Sequence, residues 1–395
     1  MKYLKYSVCL SFMLLLTACQ STRSVAPTSQ TTIPTLPQSQ VIWSRFIGNG
    51  NGKDYAKLET AASNQQLIVM RRSGQIFGLN LEDGHTQWQA NLPYPITTPP
   101  SIHENQLFFV TAEPKLIALQ ADTGQPIWSA QLKNAVLAKV AVAKEQIIVK
   151  TVASEVLAYH RYTGKKLWEY SQETVSLMLR ISSAAQIQKS QVFVGFPNGK
   201  LVALDVNQGT LLWEKALTTP QGGPELTQLI DIAADPLVFQ DTIYVTTYQG
   251  QLSALSTYTG RISWQQAFSS YTGLTLGQHL YLTDTAGIIW ALNAATGQHI
   301  WKQTALQNTR LTAAVIGSEG TLLIANDQGN LYWISQINGQ LLAQAAPKIK
   351  SPILTSPIVQ QDKVYIITNR GQIIAWKTPT NGLLNPNRTP LTVTR

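Results

Sequence analysis

Cysteine is the scarcest chemically useful residue in this sequence, because only Cys9 and Cys19 occur among its 395 residues. Cys9 falls within an expected N-terminal export signal, and Cys19 stands at the expected cleavage point of that signal. Once the signal is removed and Cys19 is modified, no thiol is left for a disulfide, a thiolate nucleophile or a cysteine metal site. Disulfide-stapled folds and cysteine-based catalysis are therefore not expected for the mature chain.

Charged side chains are also few. They make up 13% of the residues against 44% hydrophobic ones, so the chain can bury a large core and lacks the composition of a disordered protein. The formal net charge of +9 falls to +7 without Lys2 and Lys5 (30 Lys and Arg less these two, against 21 Asp and Glu). Basic clusters are as short as Arg71-Arg72 and Lys165-Lys166, which favours a solvated basic surface over a nucleic-acid-binding stripe.

Motifs of catalysis and metal binding are missing as well. No Gly-x-Ser-x-Gly sequence occurs, so serine-esterase chemistry has no support. Gly48 to Lys53 is rich in glycine but lacks the P-loop spacing, and clustered Gly and Asn usually mark a turn between strands. No metal-ligand spacing connects the five histidines, which are His85, His103, His160, His279 and His299.

The first eighteen residues have the pattern of a bacterial export signal, with two lysines followed by an apolar run too short to span a bilayer. The junction Leu16-Thr17-Ala18-Cys19 resembles a lipobox, which implies that Cys19 becomes the acylated N-terminus. An ordinary secretory signal with a chance cysteine is the alternative. Gln20 and Ser21 stand where Asp would favour retention at the inner membrane. We therefore expect a lipid anchor on the periplasmic face of the outer membrane.

Residues 19–40 carry this cysteine and a stretch rich in Ser, Thr, Gln and Pro, which predicts a flexible tether. Beyond it one unit recurs: two apolar strands, a third strand ending in Ala-Leu or similar, a polar turn ending in Gly, and a short strand that closes on Trp. The turn glycines are spaced by roughly the 40–45 residues of a propeller blade; they are Gly84, Gly124, Gly164, Gly209, Gly260, Gly297 and Gly339. The pattern predicts an all-β, eight-bladed β-propeller of four-stranded antiparallel blades.

The eighth repeat begins at Gly371 and lacks its closing strand. The segment from Val41 to Ser44 matches the closing strands of the complete repeats, so we expect it to complete the last blade. The propeller would then span residues 41–378, with a C-terminal tail at 379–395. One Trp per blade is expected to wedge between neighbouring blades, although the seventh repeat has Ala343 there; these residues are Trp43, Trp88, Trp128, Trp168, Trp213, Trp264 and Trp301.

The end of each repeat resembles a known signature. Ala121-Asp122-Thr123-Gly124 followed by Trp128 is similar to the repeat of pyrroloquinoline-quinone dehydrogenases. Two families share it: those enzymes, and the BamB family, cofactor-free propeller lipoproteins of the outer-membrane β-barrel assembly machinery. The enzymes hold their quinone against an adjacent-cysteine disulfide and a calcium ion. The chain has no such cysteine pair and resembles the BamB family over essentially its whole length. Its acids form no recognisable calcium set; they include Asp205, Glu225, Asp231, Asp235 and Asp284.

The resemblance implies a surface that docks onto the barrel-forming subunit of this machinery. In the family that surface includes a Leu-x-Leu-Arg segment, matched here by Leu177, Leu179 and Arg180. A nearby acidic loop is matched only in part, because Asp231 aligns but Ala233 stands where a second Asp is typical. Leucines beside an arginine suit a protein contact, since they combine apolar anchors with a forked donor. On burial statistics alone, the leucines would instead be core residues and the arginine a solvated neighbour.

The resemblance therefore implies a non-catalytic scaffold without cofactor or metal. Its expected partners are the barrel-forming subunit, unfolded outer-membrane proteins whose insertion it assists, and the outer membrane itself through the lipid anchor, but not nucleic acid. Two alternatives remain open. One is a quinoprotein dehydrogenase; the other is a cell-wall or sugar-binding propeller in which Trp290, Trp333 and Trp376 offer stacking faces.

Overall fold

The computed structural model describes residues 36–47, 60–63, 65–173, 183–217, 232, 234–247, 250–270 and 272–379. All of these lie in the larger of the two units into which the chain divides, Thr35–Arg395. This part of the chain contains 32 β-strands and no helix. Consequently, none of the described residues belongs to a helix able to cross a membrane.

Each repeat folds into one blade, because it supplies four short apolar segments separated by polar turns. Blade 1 contains β2 (Ala61–Ala62), β3 (Gln66–Met70), β4 (Gln75–Asn80) and β5 (Thr86–Asn91). Blade 2 contains β6 (Ser101–His103), β7 (Gln106–Val110), β8 (Lys115–Gln120) and β9 (Pro126–Gln131). Blade 3 contains β10 (Ala141–Val142), β11 (Gln146–Lys150), β12 (Glu155–His160) and β13 (Lys166–Ser171). Blade 4 contains β14 (Gln186–Gln188), β15 (Gln191–Gly195), β16 (Lys200–Asp205) and β17 (Leu211–Ala216).

The second half of the chain repeats the arrangement until its last blade. Blade 5 contains β18 (Leu237–Phe239), β19 (Thr242–Thr246), β20 (Gln251–Ser256) and β21 (Ile262–Ala267). Blade 6 contains β22 (Thr275–Leu276), β23 (Leu280–Thr283), β24 (Ile289–Leu292) and β25 (His299–Gln303). Blade 7 contains β26 (Val315–Ile316), β27 (Thr321–Ala325), β28 (Leu331–Ser335) and β29 (Leu341–Ala345). Blade 8 combines β30 (Ile358–Gln360), β31 (Lys363–Ile367) and β32 (Gln372–Lys377) with β1 (Val41–Phe46).

The eight sheets form a closed ring. Within each sheet the strands are antiparallel, and in blades 1 to 7 they follow chain order from the inside of the ring to its rim. Inner strands of successive blades contact one another, and β30 of blade 8 also contacts β2 of blade 1. The core is divided into clusters between neighbouring blades, such as the one that joins Phe108 of blade 2 to Val149 of blade 3. The predicted eight-bladed propeller of four-stranded antiparallel blades is confirmed.

The N-terminal strand completes the last blade as predicted. β1 pairs antiparallel with β32, with Val41 opposite Trp376 and Phe46 opposite Gln372. The preceding residues are bonded to the ring as well, because Gln38 forms a parallel bridge with Gln344 at the rim of blade 7. The N-terminal segment therefore contacts the last two blades in succession and closes the ring without an open seam.

The wedging role predicted for the repeat tryptophans is also confirmed, and the turn glycines explain it. The Trp88 indole donates from Nε1 to the carbonyl oxygen of Ala121 at 3.1 Å. Its ring covers Gly124 of the next blade so closely that a Cβ atom there would lie 2.4 Å from Trp88 Cε3. Gly124 also has a φ of +70°, so the turn needs glycine for its conformation and for the ring above it. The same contact recurs from Trp43 to Gly84, Trp128 to Gly164, Trp168 to Gly209, Trp213 to Gly260, Trp264 to Gly297 and Trp301 to Gly339.

Blade 7 reverses this pairing. In the other blades the Trp lies opposite a small residue of the neighbouring strand, as Trp128 lies opposite Ala118. In blade 7, Trp333 lies opposite Ala343 and is fully buried. Blade 8 has no hairpin between its third and fourth strands, because β1 arrives from the other end of the chain. A tryptophan at position 343 would thus have no turn glycine to cover.

The ring has two faces that carry different turns. On one, here called the connection face, the chain passes from the outer strand of one blade to the inner strand of the next. The connection starts beside the turn that joins the second and third strands of the blade it leaves. There the backbone N–H of Leu92 donates to Gly74 O at 2.9 Å and that of Leu217 donates to Gly199 O at 3.0 Å. The opposite hairpin face carries the remaining turns, including Gly124 and its equivalents. The strand order thus places every connection between blades on one side of the ring.

Candidate functional site

The residues expected to form the docking surface lie outside the described part of the chain. Leu177, Leu179 and Arg180 belong to residues 174–182, and Asp231 belongs to residues 218–231. Cys19, the expected lipidation site, is also outside the described residues. The described flanks show where these two segments leave the propeller and where they rejoin it.

The first segment connects blade 3 to blade 4 on the connection face. Before it, the backbone N–H of Gln172 donates to Ser154 O at 3.1 Å. The Gln172 side chain also donates to Glu214 Oε2 of blade 4 at 2.8 Å. After it, the chain rejoins the propeller at Ser183, which is fully buried. Both ends are therefore fixed by contacts between blades 3 and 4.

The second segment joins blade 4 to blade 5, and the residues described just after it contact the same part of blade 4. The backbone N–H of Ile232 donates to Phe196 O at 3.4 Å. Ile232 packs so tightly on Gly195 that a Cβ atom there would lie 2.3 Å from Ile232 Cγ2. The carboxylate of Asp235 then accepts a hydrogen bond from the Ala184 backbone N–H at 2.6 Å. The flanks of the two predicted halves are thus tied directly to each other.

A buried lysine that sequence reasoning did not single out holds this junction together. Lys150, at the end of β11, is 5% exposed. Its Nζ donates to Gly195 O at 2.7 Å and to Ser183 Oγ at 3.1 Å. A buried ammonium is stable only when its donors are satisfied. Lys150 therefore links blade 3 to Ser183, where the described chain resumes after the first segment, and to Gly195, on which Ile232 packs after the second. The charge that ends the apolar run Gln146–Lys150 was the available sequence signal, since blades 1 and 2 end the same strand with Met70 and Val110.

Electrostatics at the rim of blade 4 support the same junction. The Lys200 ammonium donates to Glu214 Oε1 at 2.8 Å. This hydrogen bond and the one from Gln172 lower the pKa of the Glu214 carboxyl. The hydrogen bond to Glu214 likewise raises the pKa of Lys200. Both groups are therefore charged at neutral pH. The Glu214 carboxylate, through its bond from Gln172, links the strand that precedes the second segment to the residues that precede the first.

The alternative sites receive less support from the geometry. Trp333 and Trp376 are fully buried, so they offer no stacking face to a sugar. Trp290 is half-buried, and its indole donates to Asp284 Oδ2 at 2.8 Å while its ring packs against Phe268 and His299. Among the described residues, no group of three or more His, Cys, Asp or Glu side chains could hold a metal ion.

The acids that were considered for a calcium site serve local structure where the structure describes them. The Asp205 carboxylate accepts from the backbone N–H groups of Asn207 and Gln208 in a turn. Asp284 accepts in the same way from Ala286 and Ile288. These residues and Asp235 belong to separate blades or connections. The described part of the chain therefore brings these acids into no cluster that could hold a metal ion.

Comparison with known proteins identifies related sequences. The family model for the outer membrane protein assembly factor BamB matches residues 72–303. BamB of Pseudomonas aeruginosa is 38% identical over 336 residues, which cover 85% of this chain and 88% of the relative. BamB of Alkalilimnicola ehrlichii is 31% identical over 200 residues. That match covers 50% of this chain and 52% of the relative, so the chain matches about half of that relative's length.

Solved structures show the same likeness. The crystal structure of BamB from Moraxella catarrhalis superposes with a TM-score of 0.75 at 25% identity, and covers 87% of this chain and 100% of that one. Quinohemoprotein alcohol dehydrogenase from Comamonas testosteroni has a TM-score of 0.69 at 10% identity, over 86% of this chain and 76% of the enzyme. The likeness to the dehydrogenase shows the fold alone.

Proposed function

Because the chain belongs to the family of the outer membrane protein assembly factor BamB, we propose that it is a non-catalytic scaffold of the β-barrel assembly machinery. In this role it binds the barrel-forming subunit and assists the insertion of outer-membrane proteins. The relatives are named as assembly factors, not as enzymes. The likeness to quinohemoprotein dehydrogenases is confined to the fold. The proposal also includes a lipid anchor at Cys19, on the periplasmic face of the outer membrane.

We place the docking surface on the connection face, at Leu177, Leu179, Arg180 and Asp231. The observation that carries this assignment is the hydrogen bond from Ala184 N–H to Asp235 Oδ1. It joins the chain just after the Leu-x-Leu-Arg segment to the chain just after Asp231. Two segments that are far apart in sequence thereby share one base on the propeller, as a single binding surface requires. Apolar anchors beside an arginine then supply the kind of contact that dominates protein interfaces.

Co-purification from detergent-solubilised envelopes tests this surface. The double variant Leu177→Asp, Arg180→Glu should fold normally and lose the barrel-forming subunit, because it removes an apolar anchor and reverses the charge of the donor. A matched control exists in the connection between blades 2 and 3, where Leu137 and Lys139 are both exposed. Leu137→Asp, Lys139→Glu should keep the subunit. Full retention by the first variant would remove the site from these residues.

The anchor has its own test. A Cys19→Ser variant should leave the membrane fraction and appear in the soluble periplasm, since acyl chains contribute about 0.8 kcal/mol of membrane affinity per buried methylene. Retention of this variant in the membrane fraction of cells that lack the barrel-forming subunit would contradict the lipid anchor. Cells without the subunit are needed because binding to it would also hold the variant at the membrane.

A further inference from the structure

Blades 4 and 7 begin their outer strands with the same pair of leucines in different surroundings. β17 starts with Leu211 and Leu212, and β29 starts with Leu341 and Leu342. Leu341 and Leu342 are each 7% exposed, whereas Leu211 is 50% and Leu212 48% exposed. Leu342 is buried against blade 8 together with Val364 and Trp376, so the contrast that concerns the edge itself is the one between Leu341 and Leu211.

The chain's own N-terminal segment covers the edge of blade 7. The Gln344 backbone N–H donates to Pro37 O at 2.9 Å, and the Ser39 N–H donates to Gln344 O at 3.0 Å. Residues 37–39 thus run parallel to β29 and pair with it through a single β-bridge, in the position of a fifth strand. Leu36 packs into the same buried cluster as Leu341. The propeller therefore already contains one example of a blade rim that holds an extended, leucine-bearing segment.

Among the described residues, no such segment lies on the rim of blade 4, which presents the same groups. Glu214 holds the same position in blade 4 that Gln344 holds in blade 7. Each lies two residues after the second leucine of its strand, opposite Val202 and Tyr332 respectively. The outward N–H and C=O of Glu214 therefore occupy the position of the pair that binds residues 37–39. Among the described strands, β17 pairs only with β16. An edge strand with exposed apolar residues is a template for another strand.

Three other rims, those of blades 1, 2 and 3, are less suited to this role. β9 starts with Pro126 and β13 with Lys166, which are the residue types that block strand addition at sheet edges. β5 starts with the polar pair Thr86 and Gln87. Blade 4 also lies between the two connections that carry the proposed docking residues.

We propose that the outer edge of blade 4 binds an extended segment of an unfolded outer-membrane protein as a fifth β-strand. The proposal rests on the proposed function, because it takes its occupant from the family's role in outer-membrane protein assembly. Strands of outer-membrane barrels alternate apolar and polar residues, so each can bring an apolar side chain to Leu211 as Leu36 does to Leu341. Backbone pairing is independent of client sequence, and the two leucines favour alternating segments. An edge of this kind would accept many clients.

Binding to a urea-unfolded eight-stranded outer-membrane barrel protein, diluted into buffer and followed by fluorescence anisotropy, tests the proposal with the full mature chain. Leu211→Glu, Leu212→Glu should weaken binding at least about tenfold, the effect expected when an interface loses its apolar anchors. Glu214→Pro should weaken it similarly because proline has no N–H to donate. Glu214→Ala is its control, since it loses the same side chain but keeps the N–H. Thr86→Glu, Gln87→Glu is the matched control on blade 1.

The outcome separates this proposal from the proposed function. Support requires that both edge variants lose binding, that both controls keep it, and that the leucine variant and the blade 1 variant still co-purify with the barrel-forming subunit. If the leucine variant folds by circular dichroism and binds the unfolded barrel as the parent does, the edge proposal is wrong while the docking function stands. If the parent itself fails to co-purify with the subunit, the docking function is wrong whatever the clients do.

Discussion

Replacing Gly124 with alanine isolates the contribution of the tryptophan wedge, because the chain supplies its own control. Gly124 and Gly320 have nearly the same backbone conformation, with φ of +70° and +71°. A Cβ atom at Gly124 would lie 2.4 Å from Trp88, whereas a Cβ at Gly320 would meet nothing within 4 Å. Alanine at position 320 therefore introduces only backbone strain, and alanine at position 124 adds displacement of a packed ring.

The two effects differ in size. An L-residue in the left-handed region costs about 1–2 kcal/mol, which is the expected loss for Gly320→Ala. Overpacking a well-packed site costs about 1–3 kcal/mol more, so Gly124→Ala should lose about 2–5 kcal/mol in total. In a Trp88→Ala background the ring is gone, and the cost of alanine at position 124 should fall to that of alanine at position 320.

Urea unfolding followed by circular dichroism measures these differences, provided that the slopes of the transitions stay equal between variants. The key quantity is the coupling between positions 88 and 124, which a double-mutant cycle reports directly. Equal losses for Gly124→Ala and Gly320→Ala would refute the reasoning, because the Trp88 ring would then place no steric demand on the turn. Undiminished cost in the Trp88→Ala background would refute it equally.

Two further predictions concern closure and alkaline stability. Deleting Val41 to Arg45 should lower the unfolding midpoint sharply, since it removes the β1–β32 pairing and a tryptophan whose loss alone costs about 3–5 kcal/mol; an unchanged midpoint would contradict the closure. Burial raises the pKa of Tyr281 and of Tyr365 to about 12. The folded state thus favours the protonated phenols, so stability is complete below pH 10, the ordinary pKa, and is lost as pH rises from 10 to 12. Phenolate absorbance and the unfolding midpoint should change together over that range, less so in Tyr281→Phe and Tyr365→Phe variants; ionisation of both phenols near pH 10 with the fold intact would contradict this.

The fold could be predicted because its determinants are local and repeated. Blades 1 to 7 carry the same turn glycine, and every blade except blade 7 carries the closing tryptophan. Each of these residues has one physical reason that holds in every copy. The departure at Ala343 and the missing closing strand of the eighth repeat were both visible in the sequence, but the link between them was not. It depends on the contact of each closing tryptophan with the turn glycine of the next blade, which only the structure shows.

The candidate site was less accessible to sequence reasoning. Its residues were inferred from resemblance, since Leu177 and Leu179 have the composition of a core strand. The buried ammonium of Lys150 at the base of the site was overlooked, because the strand that it ends is otherwise as apolar as the second strands of the neighbouring blades. Its role depends on Ser183 and Gly195, which are 33 and 45 positions away. Contacts of that range depend on how blades are stacked, which no local pattern records.

Joining the two ends of the chain in one sheet determines the order in which the molecule can be completed. β1 is made before any other strand, and its partner β32 is made last, more than 300 residues later. Until then the backbone N–H and C=O groups of β1 have no partner strand, and the ring cannot shut. Contacts of such long range are slow to form, and unpaired strand edges are prone to aggregate in the meantime. The synthesis of β32 therefore determines when β1 is protected from aggregation.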